Sequence, residues 1–383
     1  MKVPERLLLG PGPSPVSSRV MQAMAAPVLS HLDPVMITLL DEVRARLTAA
    51  FRAGDDAFSL AISGTGTSAM EAAVANLTKP GARALVVVTG YFGDRLAQML
   101  ERYGATVSRL QVEWGRACDA AQVERALSTE PADIVAMVHG ETSTGVVNPI
   151  EDILAVARKS AALTIVDAVT TLGGVPLSAG AWGPDVCYSC TQKGLGAPSG
   201  LGPITFSKRA LDARAPSRSF YLDLTLLEDY WVRRKYHHTI SAPLIYALHE
   251  ALAVVHEEGL DARWARHQRH HSAFAAGLEA LGMSLLPPGG ERLWTLNAVR
   301  VPDGINEAAV RARLLEEFGI EIGAGLGPLA GRIWRVGLMG AGSTLPNILL
   351  LLSAFERVLR AAGHRFETEN AALAAAERVV ARV

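Results

Sequence analysis

The sequence predicts an α/β fold, with a mostly parallel, doubly wound sheet in a large domain and a smaller α+β domain after it. Short β-rich apolar runs alternate with longer segments of helical period between residues 59 and 207, which is the pattern of a parallel sheet flanked by helices. After about residue 243 the helices lengthen and the strands become short and few. The 383 residues are 49% apolar and 20% charged, so the chain can bury a sizeable core.

Candidate strands in the first part share an apolar, β-branched composition. They are 59–62, 84–88, 106–111, 134–138, 164–166, 186–189 and 203–207. The segments of helical period between them predict helices at 68–77, 92–103, 120–127 and 150–160. Because strands and helices alternate, we expect the strands to pair mostly in parallel.

The second part of the chain predicts long helices at 244–257 and 262–281 and short strands near 294–301 and 332–336. The alanine-rich tail after Glu369 has amphipathic spacing and predicts a terminal helix. These elements are typical of a small α+β domain packed against the larger one.

The change in character after about residue 243 places a domain boundary near residue 255. The boundary separates a large domain at 18–255 from a small C-terminal domain at 256–383, and residues 1–17 are expected to form an N-terminal arm.

One helix of the second part carries clustered basic residues. The cluster consists of His267, His270 and His271 with Arg263, Arg266 and Arg269. A charge run of this kind predicts a solvated helix face.

Composition limits the partners. Lys and Arg number 37 against 38 for Asp and Glu, giving a net charge of −1, which argues against nucleic acid or an anionic membrane. The sequence has no apolar run approaching the roughly 20 residues that a membrane span needs. Three cysteines, Cys118, Cys187 and Cys190, are an odd count that favours a reducing compartment. We expect a cytoplasmic protein that binds a small molecule.

A glycine-rich turn, Ser-Gly-Thr-Gly-Thr-Ser at 63–68, follows the first candidate strand and opens a helix. Free backbone N–H groups and the positive end of the helix dipole would face a ligand phosphate there. The third glycine of a dinucleotide-binding fingerprint is absent, with Ala69 in its place, and no acidic residue ends a strand near position 88. Two other interpretations of this turn therefore stay open: a capped turn with no ligand, and the dinucleotide site of a nicotinamide-dependent oxidoreductase.

Two titratable residues mark the expected ligand-binding edge of the sheet. Asp167 follows the strand at 164–166, where open α/β sheets bind ligands, although it could instead cap the next turn. Lys193, 26 residues later, lies among small uncharged residues, and a desolvated lysine has a lowered pKa and forms Schiff bases. A carboxylate for a pyridinium nitrogen, a Schiff-base lysine and a phosphate cradle together predict pyridoxal 5′-phosphate.

From residue 7 to about residue 364 the chain resembles the class V, fold-type I aminotransferases of the alanine (or serine) glyoxylate aminotransferase group. The resemblance rests on LGPGP at 9–13, SGTG at 63–66, HGETSTG at 139–145, VDAV at 166–169, QK at 192–193, YHHT at 236–239 and WRVG at 334–337. It implies the pyridoxal-phosphate-dependent transferase fold type I and a homodimer with active sites at the subunit interface.

The resemblance also implies roles for individual residues. Lys193 would bind the cofactor and shuttle the proton, and Asp167 would keep the pyridine nitrogen protonated. Phe92 would stack on the ring, and Thr142 would hydrogen-bond the ring hydroxyl. The residues implied to cradle the phosphate are Thr65, Gly66, Thr67 and Gln192.

Other implied roles concern the substrate and the second subunit. Tyr236 and Thr239 would touch the phosphate of the partner's cofactor. Arg335 would bind the substrate α-carboxylate bidentately. The loop at 10–13, which includes Gly12, would close over the substrate and leave little room for a large side chain.

The expected amino donor is alanine or serine. The segments at 134–145, 227–231 and 327–331 look most like ureidoglycine glyoxylate aminotransferases, but where those enzymes carry Gln and Asn this chain has His31 and Tyr236, as alanine-using members do. A ureido group without amide partners would leave polar atoms unpaired, at roughly 1–3 kcal/mol each. We expect transfer to glyoxylate or pyruvate, with ureidoglycine as an alternative donor. A nicotinamide-dependent oxidoreductase and a non-catalytic binding protein are alternatives from other classes.

Overall fold

The computed structural model describes residues 3–366 and 371–381. Met1 and Lys2 of the predicted arm, residues 367–370 where the predicted tail begins, and residues 382–383 lie outside the described residues.

The helices are numbered in chain order. They are α1 Ser18–Ala23, α2 Pro34–Ala50, α3 Gly66–Leu77, α4 Tyr91–Arg102, α5 Ala120–Thr129, α6 Ile150–Lys159, α7 Ala179–Trp182, α8 Lys208–Ala213, α9 Leu224–Trp231, α10 Ala242–Glu258, α11 Leu260–Ala280, α12 Glu307–Phe318, α13 Leu345–Ala361 and α14 Ala371–Ala381. Many begin at side-chain caps; for example, the Asp33 carboxylate accepts the Val35 N–H at the start of α2. The predicted long helices are confirmed as α10 and α11, and the predicted terminal helix as α14.

The strands follow the same numbering. They are β1 Leu7–Leu8, β2 Phe58–Ser63, β3 Arg83–Val88, β4 Thr106–Gln111, β5 Ile134–Val138, β6 Gly140–Glu141, β7 Val146–Val147, β8 Leu163–Asp167, β9 Val186–Tyr188, β10 Leu201–Phe206, β11 Leu296–Arg300, β12 Ile320–Glu321, β13 Gly323–Ala324 and β14 Ile333–Gly337. The strands β4 and β5 have the predicted bounds, and the other predicted strands of the first part lie within two residues of theirs.

The central sheet confirms the predicted α/β fold. Within the described residues it has seven strands in the order β2-β10-β9-β8-β5-β3-β4. Only β10 runs antiparallel to its neighbours, and the other pairs are parallel. Both faces of β5 and most of β8 are buried, as a sheet covered by helices on both sides requires. Ligands bind at the carboxyl edge of such a sheet.

A smaller antiparallel sheet, β11-β14-β13, lies in the second part of the chain. One apolar cluster extends from Met36 to Val255, and a second from Ala273 to Ala376 also includes Leu9 of the arm. The arm is tied to this second cluster because β1 pairs with β12. The two clusters support a domain boundary near residue 255, which stays a prediction.

The predicted solvated face of α11 was wrong. Arg263 is 3% exposed, His267 0%, His270 9% and His271 7%. The helix packs against α10, α13 and α14, so its polar side chains turn inward and bind loops. His267 donates from Nδ1 to the Arg263 carbonyl, and its Nε2 accepts the Gly340 N–H. The charge pattern alone does not distinguish a solvated helix face from one whose side chains donate hydrogen bonds to buried carbonyl groups.

Burial of His267 predicts a pH dependence of stability. Burial, with Arg266 and Arg263 nearby, lowers the pKa of His267 to about 3. The unfolded chain takes up a proton near the ordinary histidine pKa and the folded chain does not, so stability is full above that value and falls as the pH falls. Acidification from pH 7 to pH 5 should cost about 2 kcal/mol through this one group.

Denaturant unfolding at the two pH values measures this effect. The variant His267→Gln should lose about 2 kcal/mol less than wild type on acidification. The matched control is His256→Gln, which alters an exposed histidine of α10 and should follow wild type. An unchanged pH dependence in His267→Gln would contradict the assignment.

No helix in the ranges 3–366 and 371–381 is both long and apolar enough to cross a membrane.

Candidate active site

The glycine-rich turn lies between β2 and α3, and it is both capped and open to a pocket. Thr65 is the N-cap, and its hydroxyl accepts the Thr67 N–H at 3.3 Å, while Ser68 Oγ accepts the Thr65 N–H at 2.6 Å. Gly64 has φ +142°, and a Cβ there would lie 2.1 Å from Ser68 Oγ, so this turn requires glycine. The turn thus has a structural cap and still faces the cavity with Gly66 and Thr67.

Asp167 ends β8 at the carboxyl edge of the sheet, as the sequence predicts. Its Oδ1 accepts the Val169 N–H at 2.8 Å, and its Oδ2 accepts the Tyr188 hydroxyl at 2.9 Å. Burial raises the pKa of Asp167 to about 6, and the hydrogen bonds from Val169 and Tyr188 oppose that rise. The carboxylate caps the next turn and also lines the pocket, and its role in binding a ligand stays a prediction.

Lys193 lies in the loop after β9 and is 8% exposed. Its Nζ donates to the carbonyl of Pro11 in the N-terminal arm. Burial lowers the pKa of Lys193, and Arg335 adds to that effect. The desolvated lysine predicted from its uncharged surroundings is therefore present, and its amine is easier to deprotonate than an exposed one.

A cavity of about 200 Å³ joins most of the predicted cofactor residues. The ones that line it are Thr65, Gly66, Thr67, Phe92, Thr142, Asp167, Gln192 and Lys193. The elements that meet there are the ends of β2, β5 and β8, the starts of α3 and α4, and the lysine loop. Their convergence follows from the parallel sheet, which brings the carboxyl ends of its strands to one edge.

Glu141 is a buried residue near the site that the sequence analysis missed. Its carboxylate accepts the N–H groups of Phe92, Gly93 and Ser143 at 3.3, 3.2 and 3.0 Å and the Ser143 hydroxyl at 2.6 Å. The N-cap of α4, Gly90, has no side chain to cap the helix, so Glu141 supplies that cap and holds Phe92 at the pocket. Burial raises the pKa of Glu141.

Arg95 is a second residue that the sequence analysis missed. It lines the cavity, its guanidinium lies 4.9 Å from the centre of the Phe92 ring, and its Nη1 lies 3.5 Å from Thr67 Oγ1. A cation beside the phosphate cradle and over the aromatic face would favour an anionic ligand. Its position three residues after Phe92 on a helix is the signal that could have indicated it.

Arg335 and the arm lie at the rim of the site. The Nε of Arg335 donates to the Ala324 carbonyl at 2.6 Å, and its Nη1 lies 3.5 Å from the Thr142 carbonyl. Burial lowers the pKa of Arg335 to about 10, and Glu141 and Glu321 oppose that change. A Cβ at Gly12 would lie 2.6 Å from the Cε of Lys193, so the arm roofs the lysine closely.

Three predicted site residues lie away from this cavity. Tyr236 is 63% exposed and Thr239 is also exposed, and the ring of His31 lies 5.1 Å from that of Tyr236. The segment that carries Tyr236 and Thr239 is held beside the glycine-rich turn, because His238 Nε2 and Ser63 Oγ are hydrogen-bonded at 2.8 Å. The side chains of Tyr236 and Thr239 face the surface rather than the cavity of their own chain, and His31 is half-buried.

The residues at the cavity fit pyridoxal 5′-phosphate. Among the described residues, Gln192 Oε1 is buried with no hydrogen-bond partner, as expected of a group that awaits a ligand. The cradle, the aromatic face, the buried carboxylate and the buried amine match the phosphate, the ring, the ring nitrogen and the aldehyde of this cofactor. The fold and the site together define an α/β enzyme dependent on pyridoxal phosphate.

Comparisons with known proteins identify the family. The family model described as aminotransferase class V matches residues 8–332. The alanine–glyoxylate aminotransferase of Drosophila melanogaster is 36% identical over 377 residues, covering 96% of this chain and 95% of that protein. The chain therefore belongs to the class V aminotransferases, and it is a pyridoxal-phosphate-dependent transaminase.

Solved structures agree with this family and with fold type I. The structure of ureidoglycine–glyoxylate aminotransferase from Bacillus subtilis matches with a TM-score of 0.97 at 39% identity, over 100% of this chain and 99% of that one. The structure of alanine–glyoxylate aminotransferase from Nostoc sp. matches with a TM-score of 0.92 at 45% identity, over 94% and 97%. These matches support neither a nicotinamide-dependent oxidoreductase nor a non-catalytic binding protein.

Proposed function

We propose that the protein transfers the amino group of a small amino acid, alanine or serine, to glyoxylate or pyruvate. The observation that carries this proposal is the close packing of the N-terminal arm over Lys193, where a Cβ at Gly12 would lie 2.6 Å from the lysine Cε. Because the arm approaches the reacting amine this closely, a bulky substrate side chain has little room. The similarity to glyoxylate aminotransferases supports the acceptor.

The proposed roles follow from the contacts in the cavity. The cofactor, when bound, supplies an electron sink for the carbanion formed at the substrate Cα. Lys193 removes and returns the proton there, for which its lowered pKa suits it. Asp167 holds a proton on the ring nitrogen, and Arg335 binds the substrate carboxylate. Thr142 and Phe92 line the same cavity, where Thr142 would hydrogen-bond the ring hydroxyl and Phe92 would stack on the ring.

The phosphate would be held by the turn at 63–68. Gly66 and Thr67 line the cavity at the start of α3, where the helix dipole favours an anion. Thr65 and Gln192 complete this cradle, in which the Gln192 amide N–H would donate to a phosphate oxygen.

The second candidate donor is ureidoglycine. It is favoured by the TM-score of 0.97 to the Bacillus subtilis enzyme and by the three segments that resemble such enzymes. His31 and Tyr236, whose ring centres lie 5.1 Å apart, oppose it because neither offers the paired amide of Gln and Asn. We therefore favour alanine or serine.

A donor and acceptor panel tests the choice. Wild type should turn over alanine and serine with glyoxylate or pyruvate faster than it turns over ureidoglycine. The double variant His31→Gln, Tyr236→Asn should raise the ureidoglycine rate and lower the alanine rate. A wild-type enzyme that uses ureidoglycine alone would reverse the assignment of donor.

We also propose a homodimer that shares its active sites. Tyr236 and Thr239 lie outside the cavity of their own chain, and they are exposed beside Phe220 and Tyr221, which are 75% and 44% exposed. Exposed aromatic clusters of this kind are typical of a protein interface. In the proposed dimer, Tyr236 and Thr239 touch the phosphate of the partner's cofactor, and His31 and Tyr236 border the partner's substrate.

Mixed dimers test this sharing. Lys193→Ala and Tyr236→Ala are each expected to be impaired, but a mixed dimer would have one site with both residues intact. After dissociation and random reassociation, half of the dimers are mixed, so about a quarter of wild-type activity should return. If Tyr236 served its own chain, mixing would restore nothing.

A cytoplasmic location is also proposed. The three cysteines are free and buried, which suits a reducing compartment.

A further inference from the structure

Arg263 of α11 lies behind the active site, between two loops. It is 3% exposed. Its Nε donates to the Gly173 carbonyl at 2.9 Å, and its Nη2 donates to the Gly194 carbonyl at 2.7 Å. Gly194 directly follows Lys193, and Gly173 lies in the turn that follows Asp167. One guanidinium therefore joins the loop of the amine to the loop of the carboxylate.

The backbones of these two loops touch. A Cβ at Gly194 would lie 2.3 Å from the Leu172 carbonyl oxygen, and a Cβ at Gly173 would lie 3.3 Å from the Gly194 oxygen. Carbonyl groups that converge in a buried region repel one another and need donors. The guanidinium has a rigid fork of donors, so it fixes the spacing between two acceptors as a lysine amine does not.

The other contacts of this cluster separate Arg263 from its neighbour. Glu258 accepts hydrogen bonds from both Arg263 and Arg266. The Nη1 of Arg266, however, donates to the Ser343 carbonyl at 2.8 Å and the Gly340 carbonyl at 3.2 Å. Arg266 therefore holds the segment at 340–343, which packs against the loop of Lys193, and only Arg263 of the two hydrogen-bonds that loop directly.

We propose that Arg263 is a positioning residue that sets the distance between Lys193 and the turn after Asp167. A buried guanidinium is costly unless its donors are used, and here they are used on the two loops that carry the site. The inference rests on the proposed role of Lys193 as the cofactor lysine. In this proposal α11, which lies outside the cavity, controls the spacing of Lys193 and Asp167, the residues that would hold the cofactor's aldehyde carbon and ring nitrogen.

Arg263→Lys and the matched control Arg266→Lys test the inference in the holoenzyme. Arg263→Lys should release the cofactor about tenfold faster, since losing a buried hydrogen bond has an effect of that order. It should also change the visible circular dichroism of each bound cofactor. Arg266→Lys, which reaches the Lys193 loop only through the segment at 340–343, should change both properties clearly less than Arg263→Lys does, although both variants should lower the melting temperature. Equal effects of the two variants on release and dichroism would overturn the proposal.

Glu258→Gln decides the question if Arg263→Lys does not fold. The Glu258 side chain is 25% exposed, so its replacement is milder, and it loosens Arg263 and Arg266 without removing either. The Arg266→Lys variant shows how much of any change comes through Arg266. A two- to threefold faster release is expected, which is about half the effect of a full hydrogen bond on a logarithmic scale. Unchanged release and dichroism would overturn the proposal. Borohydride reduction and peptide mapping distinguish failure of the Arg263 proposal from failure of the proposed role of Lys193. If Lys193 were not the cofactor lysine, the reduced cofactor would lie on another lysine in every variant.

Discussion

Lys193→Ala is expected to lower transamination about 10⁴-fold, the upper range for removing a positioned general acid or base. Lys193 is the buried amine of the cavity, and burial lowers its pKa, so its amine loses a proton more easily than an exposed lysine does. The variant should also fail to fix the cofactor covalently when treated with borohydride. Turnover, visible absorbance and the mass of the reduced protein measure the three effects.

Lys208→Ala is the matched control. Lys208 is exposed and pairs with Asp212 on α8, and neither residue lines the cavity. This variant should remain yellow and active, and borohydride should fix the cofactor on the Lys193 peptide. A Lys193→Ala protein that keeps more than about a tenth of the activity and still fixes the cofactor would contradict the role of Lys193.

Asp167→Asn is expected to lower kcat about 10²- to 10³-fold, as removal of one preorganised electrostatic contact does. Asparagine is neutral, so it cannot stabilise a protonated ring nitrogen. Its amide also has one acceptor where the carboxylate has two, and Val169 N–H and Tyr188 O–H each use an oxygen. The cofactor should still bind through the phosphate cradle and Lys193. Single-turnover rates with saturating cofactor measure the loss.

Asp185→Asn provides the comparison. Asp185 is also a buried aspartate, 2% exposed, and its Oδ2 accepts the Thr164 N–H at 2.8 Å and the Thr164 hydroxyl at 3.0 Å. Its replacement should lower stability and leave kcat near wild type. If both variants lost stability and kcat in parallel, Asp167 would be a structural carboxylate only.

The sequence predicted the sheet well because its signal is local. The strands β4 and β5 are continuous apolar or alternating runs, and their ends coincide with the predicted residues. The positions of Asp167 and Lys193 followed from the same logic, since residues after parallel strands meet at one edge. The cavity then joins them to the turn at 63–68.

The parts that the sequence did not predict depend on distant contacts. The acceptors of Arg263 lie 90 and 69 residues away in the chain, so no local pattern distinguishes it from a solvated arginine. Glu141 binds the start of α4 48 and 49 residues away, so its capping role depends on two segments that meet only in the folded chain. In each case the charge is retained inside the protein because it satisfies backbone groups of another segment.

The half-reaction with a single amino donor tests the central claim most directly. Holoenzyme mixed with alanine or serine, without an acceptor, should lose its visible absorbance at least about tenfold faster than with ureidoglycine, since one or more unpaired polar groups would burden the latter. Adding glyoxylate should restore the absorbance. Rapid bleaching by ureidoglycine alone, with alanine and serine inert, would contradict the account.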